Sequence, residues 1–299
     1  MTLAQEAETE ARAVLAEACR TAGIDASGAE LMRLGENALY RLPGRIVARI
    51  ARPGQTTAAA REVHIARWLE AHQVPAVQAV PGLEQPVVVE GRAVTWWVEL
   101  PPHRHGTAVQ VATALRRLHD LPIPTGFEIG RLDPFVRLAE RIERAATLTE
   151  DDRVWMRERL AELRTRWEVL PAGLPDSVVH GDAWIGNVVG TDDGRVVLLD
   201  LERCSVGPPE WDLTSTAVKA FTLAGISTDD YHRFVASYGH DVITWQGFET
   251  LRDIREFRMT CMAAQVAGEN PARHPEIMHR LACLRGQRGP RPWTWQAVP

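Results

Sequence analysis

The sequence predicts an α+β fold in two lobes: a small N-terminal lobe built on an antiparallel sheet and a larger, mainly helical C-terminal lobe. Three observations carry this expectation. Short β-rich runs broken by Gly, Pro and Asn turns occupy the chain up to Val98. Beyond it, apolar residues recur at helical spacing in segment after segment. Between them, Val94-Thr-Trp-Trp-Val-Glu-Leu100 runs into Pro101-Pro102, a hinge signal that divides the chain into 1–98 and 99–299.

Residues 2–22 are rich in Ala, Glu and Arg, with Leu3, Ala7, Val14, Leu15 and Ala18 on one helical stripe and Gly23 as the stop, which predicts a leading amphipathic helix. Three strands are expected at 30–34, 38–42 and 45–50, with Gly35-Glu36-Asn37 and Pro43-Gly44 as turns. A helix over 57–72 turns Val63, Ile65, Ala66 and Leu69 inward, and a strand pair at 87–90 and 92–98 is separated by Gly91. Trp96 and Trp97 either wall a cleft or fill the core. Further helices are expected at 109–118, 135–144, 149–167, 213–222, 231–238 and 245–266, with one more in 270–299 ahead of a Pro/Trp-rich tail.

Composition excludes several function classes. A chain of 299 residues that is 45% hydrophobic and 24% charged is long enough to bury two cores. The formal net charge of -5 gives no basic surface for nucleic acid. Cys19, Cys204, Cys261 and Cys283 form no Cys-x-x-Cys or zinc-spaced set and read as reduced thiols. The N-terminus carries glutamates at 6, 8, 10 and 17 in place of an apolar block, and no stretch approaches the roughly 18 consecutive apolar residues of a membrane span. A cytoplasmic protein with neither membrane nor nucleic-acid partners is expected.

The chemistry concentrates in Val178-Val179-His180-Gly181-Asp182-Ala183-Trp184-Ile185-Gly186-Asn187 and the following Val196-Val197-Leu198-Leu199-Asp200. Asp182 and Asn187 have the D-x-x-x-x-N spacing with which protein kinases place a base and a metal ligand, and a later Asp holds the other magnesium there. The β-rich runs on either side of Asp193-Gly194 predict a hairpin. Its open ends bring Asn187 and Asp200 together as oxygen ligands for a hard cation, with Asp182 opposite to accept a hydroxyl proton. The plainer alternative is a turn stabilised by Asp and Asn.

The third strand, Arg45-Ile-Val-Ala-Arg49-Ile50, compares with the Val-Ala-Ile-Lys strand of kinases, with Arg49 in the lysine's place and Glu62 on the next helix as its partner. The alternative is a surface arginine and a solvated glutamate. Asn37 lies where a nucleotide-covering loop belongs, although G-x-G-x-x-G is missing and a plain hairpin turn explains it equally. Glu99 and Leu100 offer backbone groups to a nucleotide base.

The segments His180-Gly181-Asp182 to Asn187, Leu199-Asp200-Leu201-Glu202 and Gly207-Pro208-Pro209-Glu210-Trp211-Asp212-Leu213 together closely resemble the aminoglycoside phosphotransferase and choline kinase family. The resemblance runs from about Leu31 onward and implies a protein-kinase-like fold and Mg2+-dependent transfer of a phosphoryl group from ATP or GTP to a small-molecule hydroxyl. It implies Asp182 as catalytic base, Asn187 and Asp200 as magnesium ligands, and Glu202 as a further ligand or an outer acceptor. Asp212 is read as a helix cap that braces the loop. Leu-Arg-Arg-Leu-His119 also resembles the family, but its histidine is assigned no chemistry. The acceptor site is implied in the C-terminal helices, where Asp229, Asp230, Glu249, Asp253 and Glu256 either meet an amine-bearing substrate, such as an aminoglycoside or amino-alcohol, or form solvated faces. A nucleotide-binding scaffold without transfer and a metal-carboxylate hydrolase are the competing readings.

Overall fold

The computed structural model describes residues 3–296. The expected start of the leading helix at Thr2 and the end of the Pro/Trp-rich tail beyond Gln296 lie outside them. In chain order the elements begin with α1 (Leu3–Ala22), β1 (Glu30–Leu34), β2 (Ala38–Leu42), β3 (Ile46–Ile50), α2 (Thr56–Ala71), β4 (Val87–Val89), β5 (Arg92–Val98) and β6 (His103–His105). There follow α3 (Ala108–His119), α4 (Leu138–Arg144), α5 (Glu150–Glu168), β7 (Ser177–Val179), β8 (Val188–Thr191), β9 (Val196–Leu198) and β10 (Ser205–Gly207). The chain ends with α6 (Glu210–Phe221), α7 (Thr228–Tyr238), α8 (Phe248–Glu269) and α9 (His274–Leu284). Among the described residues no helix is long and apolar enough to cross a membrane.

Two compact units emerge. The first takes the chain through Gly106 together with Leu121–Gly130 and Ile185–Cys204, so the β8–β9 hairpin groups with the N-terminal sheet. That sheet is antiparallel throughout, in the order β1-β2-β3-β5-β4. Strand alternation sorts its residues. Tyr40, Ala48 and Trp96 are in register on one face, where they pack with Ala11, Val14, Leu15 and Ala18 of α1. Leu39, Arg49 and Thr95 are in register on the opposite face. Trp96 is fully buried and Trp97 nearly so, its indole N–H bonded to Thr95 Oγ1 at 2.9 Å, so both tryptophans serve the core. A second sheet, β6-β8-β9, pairs Val188 with Leu198 and His103 with Thr191.

The second unit takes Thr107–Asp120, Arg131–Trp184 and Ser205 onward. Its core joins α4, α5, α8 and α9 through Leu138, Ile142, Met156, Leu163, Ile254, Phe257 and Leu281, while α3 packs on α7. Capping fixes the entries to the helices: Thr107 and Thr149 each form reciprocal capping boxes, with Gln110 and Asp152, and Ser227 caps α7. The helix expected over 135–144 starts only at Leu138, because Arg137 takes a left-handed conformation with φ 63°. The helix expected from 245 starts at Phe248, after a 3-10 turn. The β7–β10 pair, with Val178 opposite Val206, went unforeseen because its strands are only three residues long and distant in sequence.

Trp96→Ala removes one of the two largest fully buried side chains among the described residues and is expected to cost about 3–5 kcal/mol of stability, read by urea denaturation followed through secondary structure.

Candidate active site

In the first unit, side chains singled out by the sequence converge on Arg49. From β3, its Nη1 donates to Glu62 Oε2 of α2 at 2.6 Å, and its Nη2 donates to Glu202 Oε2 at 2.9 Å. The Asn37 amide, turned to satisfy both its ends, accepts from Arg49 Nε at 3.2 Å and Nη2 at 3.0 Å. The β8–β9 hairpin supplies the other side. Leu199 N donates to Asn187 O at 2.8 Å, which draws the two hairpin ends together. Asp200, immediately after, is left-handed (φ 53°, ψ 64°) and opens a 3-10 turn at Leu201–Arg203. Arg61 Nη2 ties that turn to α2 through Glu202 O at 3.1 Å.

Three carboxylates therefore share the field of one guanidinium. Burial pushes Glu62 up, Arg49 pulls it down, and Asp200 and Glu202 add to the rise, leaving it at about 7. Burial opposes the Arg49 charge as well, but Glu62, Glu202 and Asp200 more than offset this and hold it protonated. Among the described residues no group of three or more His, Cys, Asp or Glu side chains forms a metal cage. The donors here suit magnesium, which favours oxygen and completes a site of one or two protein ligands with water and phosphate. Asn187 and Asp200, at the two ends of the hairpin, would be two such ligands.

Glu99 N–H is committed to Arg45 O at 2.8 Å, while neither Glu99 C=O nor Leu100 N–H is taken by other backbone groups of the described residues. Both residues line a cavity of about 710 Å3 with Ile46, Ala66, Val98 and Val197. Arg49, Asn37 and Asp200 do not line it, so it is separate from the charged cluster.

In the second unit the His180-Gly181-Asp182 loop leaves β7 and is anchored by Asp212, a fully buried residue in the first turn of α6. The Asp212 carboxylate accepts from His180 N at 2.6 Å, Gly181 N at 2.9 Å and His119 Nε2 at 3.1 Å. Burial alone would raise Asp212, but the His119 hydrogen bond and the nearby His119 and His180 rings hold it below the usual carboxylate range. His119 Nδ1 pairs in turn with Tyr238 Oη at 2.8 Å. Asp212 thus braces the loop from inside α6, whose N-cap position is Pro209. The sequence signal for His119 was present in Leu-Arg-Arg-Leu-His, but its link to Asp212 spans 93 residues.

Trp211 clamps the same peptide from the other side, donating its indole N–H to Gly181 O at 2.8 Å. Gly181 has φ 83°, a conformation that glycine adopts without strain. Asp182 is half-buried, and Arg255 Nη1 lies 3.9 Å from its Oδ1. Arg255, from α8, stacks over the Trp211 ring at 4.4 Å and donates to Trp211 O at 3.0 Å. The sequence reading missed Arg255, since an arginine in a helix carries no mark of which loop it reaches.

Of the carboxylates expected to meet an amine, Asp253, Glu256 and Asp230 are otherwise engaged. Asp253 is bound by Arg166 at 2.8 Å, Arg159 and Arg252 at 3.1 Å, and Arg291 at 3.4 Å. Glu256 is fully buried, paired with Arg291 at 2.6 Å and with Thr222 Oγ1 at 2.6 Å. Asp230 serves the α7 cap and Arg233, Glu249 faces Arg252 at 3.6 Å, and Asp229 is exposed.

The family model for the phosphotransferase enzyme family (APH) matches residues 34–257. Aminoglycoside phosphotransferase APH(3'')-Id from Streptomyces rimosus ATCC10970 is 23% identical, with a TM-score of 0.59, over 81% of this chain and 98% of that one. Choline kinase LicA from Streptococcus pneumoniae is 13% identical, with a TM-score of 0.62, over 92% and 99%. Amicoumacin kinase hAmiN, solved with AMP-PNP, Ca2+ and Ami, is 14% identical, with a TM-score of 0.63, over 90% and 95%. These likenesses are of fold: a kinase-like one, with a five-stranded antiparallel sheet followed by a mainly helical part. No curated protein matches the chain.

Because Glu62 is raised to about 7, the folded chain holds its proton more tightly than the unfolded chain, where glutamate titrates near about 4.3. Stability from this group is full below about pH 4.3 and is lost as pH rises through about 7. Glu62→Gln is expected to flatten that decline, measured as melting temperature of both proteins across the window.

Proposed function

The chain belongs to the phosphotransferase enzyme family, and from that membership we propose that it moves the γ-phosphoryl group of a nucleoside triphosphate, with magnesium, to a hydroxyl of a small molecule. It is a small-molecule kinase; donor, metal and residue roles are the proposed part. The observation that carries them is the Arg49 cluster, which sets a fixed cation and hard oxygen donors at the ends of one hairpin.

Glu62 orients Arg49, whose planar fork meets phosphate oxygens. Asn37, against the same guanidinium, lies on the nucleotide side. Glu99 C=O and Leu100 N–H present an acceptor and a donor to the base. Asn187 and Asp200 would hold magnesium, which when bound neutralises and aligns the phosphates. Asp182 orients the acceptor hydroxyl and takes its proton as the new O–P bond forms; the bond from the γ-phosphorus to the bridging oxygen breaks, and nucleoside diphosphate leaves. The relatives named above for aminoglycosides and choline point toward an amino-alcohol. With Asp253 and Glu256 occupied by arginines, however, the acceptor is proposed only as a hydroxyl-bearing small molecule.

Asp182→Asn is expected to lower kcat by at least about a hundredfold while nucleotide affinity holds, measured by coupled nucleoside diphosphate release and by titration. Normal turnover in this variant would remove the base assignment. In thermal unfolding, wild type at a hundred times Kd of Mg-ATP gains about 2.7 kcal/mol, and Asp200→Ala is expected to lose the magnesium-dependent part. Nucleotide binding without transfer to any acceptor would favour the scaffold reading.

A further inference from the structure

The basic side chains of this protein are arginines with a single exception, Lys219 on α6. It is half-buried, and among the described residues no carboxylate or hydrogen-bond acceptor partners its ammonium. Its aliphatic stem lies so close to Gly225 that a Cβ there would approach Lys219 Cγ and Cε to 3.2 Å, and Gly225 N donates to Lys219 O at 2.8 Å. Its Nζ lies 5.5 Å from the centre of the Trp184 ring. Trp184 is two residues beyond Asp182 in the same loop and is 43% exposed, a large apolar surface in the segment that carries the proposed base.

Packing therefore directs a cation to the Asp182 loop and leaves its charge uncompensated. Partial burial lowers the Lys219 pKa, as expected of an ammonium that lacks an anion. Arg255 brings a second positive charge to the same loop, 3.9 Å from Asp182. Asp253 and Glu256 of α8, which would otherwise offset these charges, are paired with arginines of α5, α8 and the chain end. Ammonium over an indole leaves the face of the cation away from the ring open to a ligand.

We propose that Lys219 is an acceptor-binding residue: held against Trp184 beside Asp182, its ammonium receives an anionic group, carboxylate or phosphate monoester, of the hydroxyl compound that is phosphorylated. This rests on the kinase reading. The acceptor is a hydroxy acid or a phosphorylated polyol, with Trp184 covering its carbon skeleton, Lys219 on its anion and Asp182 on its hydroxyl.

The test measures Mg-ATP-dependent transfer by wild type, Lys219→Met and Lys219→Arg to matched acceptors: glycerate, gluconate and glucose 6-phosphate, against glycerol and glucose, and against choline and kanamycin. The same compounds are scored for added thermal stabilisation on top of Mg-AMP-PNP. The expected result is use of anionic acceptors over their neutral and cationic counterparts. Lys219→Met should then raise the KM of the anionic acceptor roughly ten- to a hundredfold. The nucleotide KM should stay unchanged and Lys219→Arg should retain most of the affinity. The carboxylate and phosphate arms tell which anion is bound. A preference for neutral or cationic acceptors overturns the inference and leaves the kinase reading standing, as does an unchanged acceptor KM in Lys219→Met. Nucleotide binding with neither transfer to nor stabilisation by any anionic compound also overturns it. Absence of nucleotide binding, by contrast, removes the kinase reading itself.

Discussion

The His180-Gly181-Asp182 loop depends on one buried charge. Asp212 is wholly inaccessible, and an ionised carboxylate in that position is costly unless donors replace the lost water. It has three: the backbone N–H groups of His180 and Gly181, and His119 Nε2. Its place in the first turn of α6 adds the positive end of the helix dipole. Two consecutive amides can meet one carboxylate only if the chain bends around it, and Gly181 provides that bend with its positive φ. Trp211, the neighbour of Asp212, bonds the carbonyl of the same glycine. Residues 211 and 212 thus grip Gly181 by both its polar groups, and the direction of Asp182 follows from that grip.

In the first unit the organising group is a cation. A lysine would offer a compact charge, whereas the Arg49 fork meets Glu62 and Glu202 with different nitrogens and Asn37 with a third edge. The fork is rigid, so pairing with Glu62 fixes the plane in which it meets any other anion. Burial raises the Glu62 pKa, and with Asp200 and Glu202 nearby the carboxylates outnumber the fixed cation and add to that rise. A divalent cation at the hairpin ends would relieve that excess, which links metal binding to the ionisation of Glu62.

What could be read in the sequence was local. The ends of the β8–β9 hairpin, the Arg49–Glu62 spacing and the amphipathic α1 follow from periodicity and turn chemistry within some 20 residues, as do the individual strands of the first sheet; the β3–β5 pairing that joins them into one sheet of five does not. The β7–β10 pair, the His119–Asp212 bond and the reach of Arg255 to Asp182 are set by tertiary packing between residues many tens of positions apart. Asp253 and Glu256 of α8 fitted neither of the two readings for the same reason. Asp253 and Glu256 look like open acidic groups until Arg159 and Arg166 of α5 and Arg291 of the chain end are brought against them.

Those arginines bear on how acceptor chemistry is decided. A count of acidic side chains on the C-terminal helices suggests affinity for amines, yet a carboxylate saturated by guanidinium has little field left to offer, and breaking such a buried pair to admit an amine exposes an uncompensated arginine. Selectivity belongs to the charges that folding leaves without partners. Arginine, with five donors in a planar fork, readily finds carboxylates, and in this chain it has done so at Asp253, Glu256, Asp152 and Glu62. The lone lysine has instead an aromatic neighbour, with its ammonium 5.5 Å from the centre of the Trp184 ring in the loop that carries Asp182.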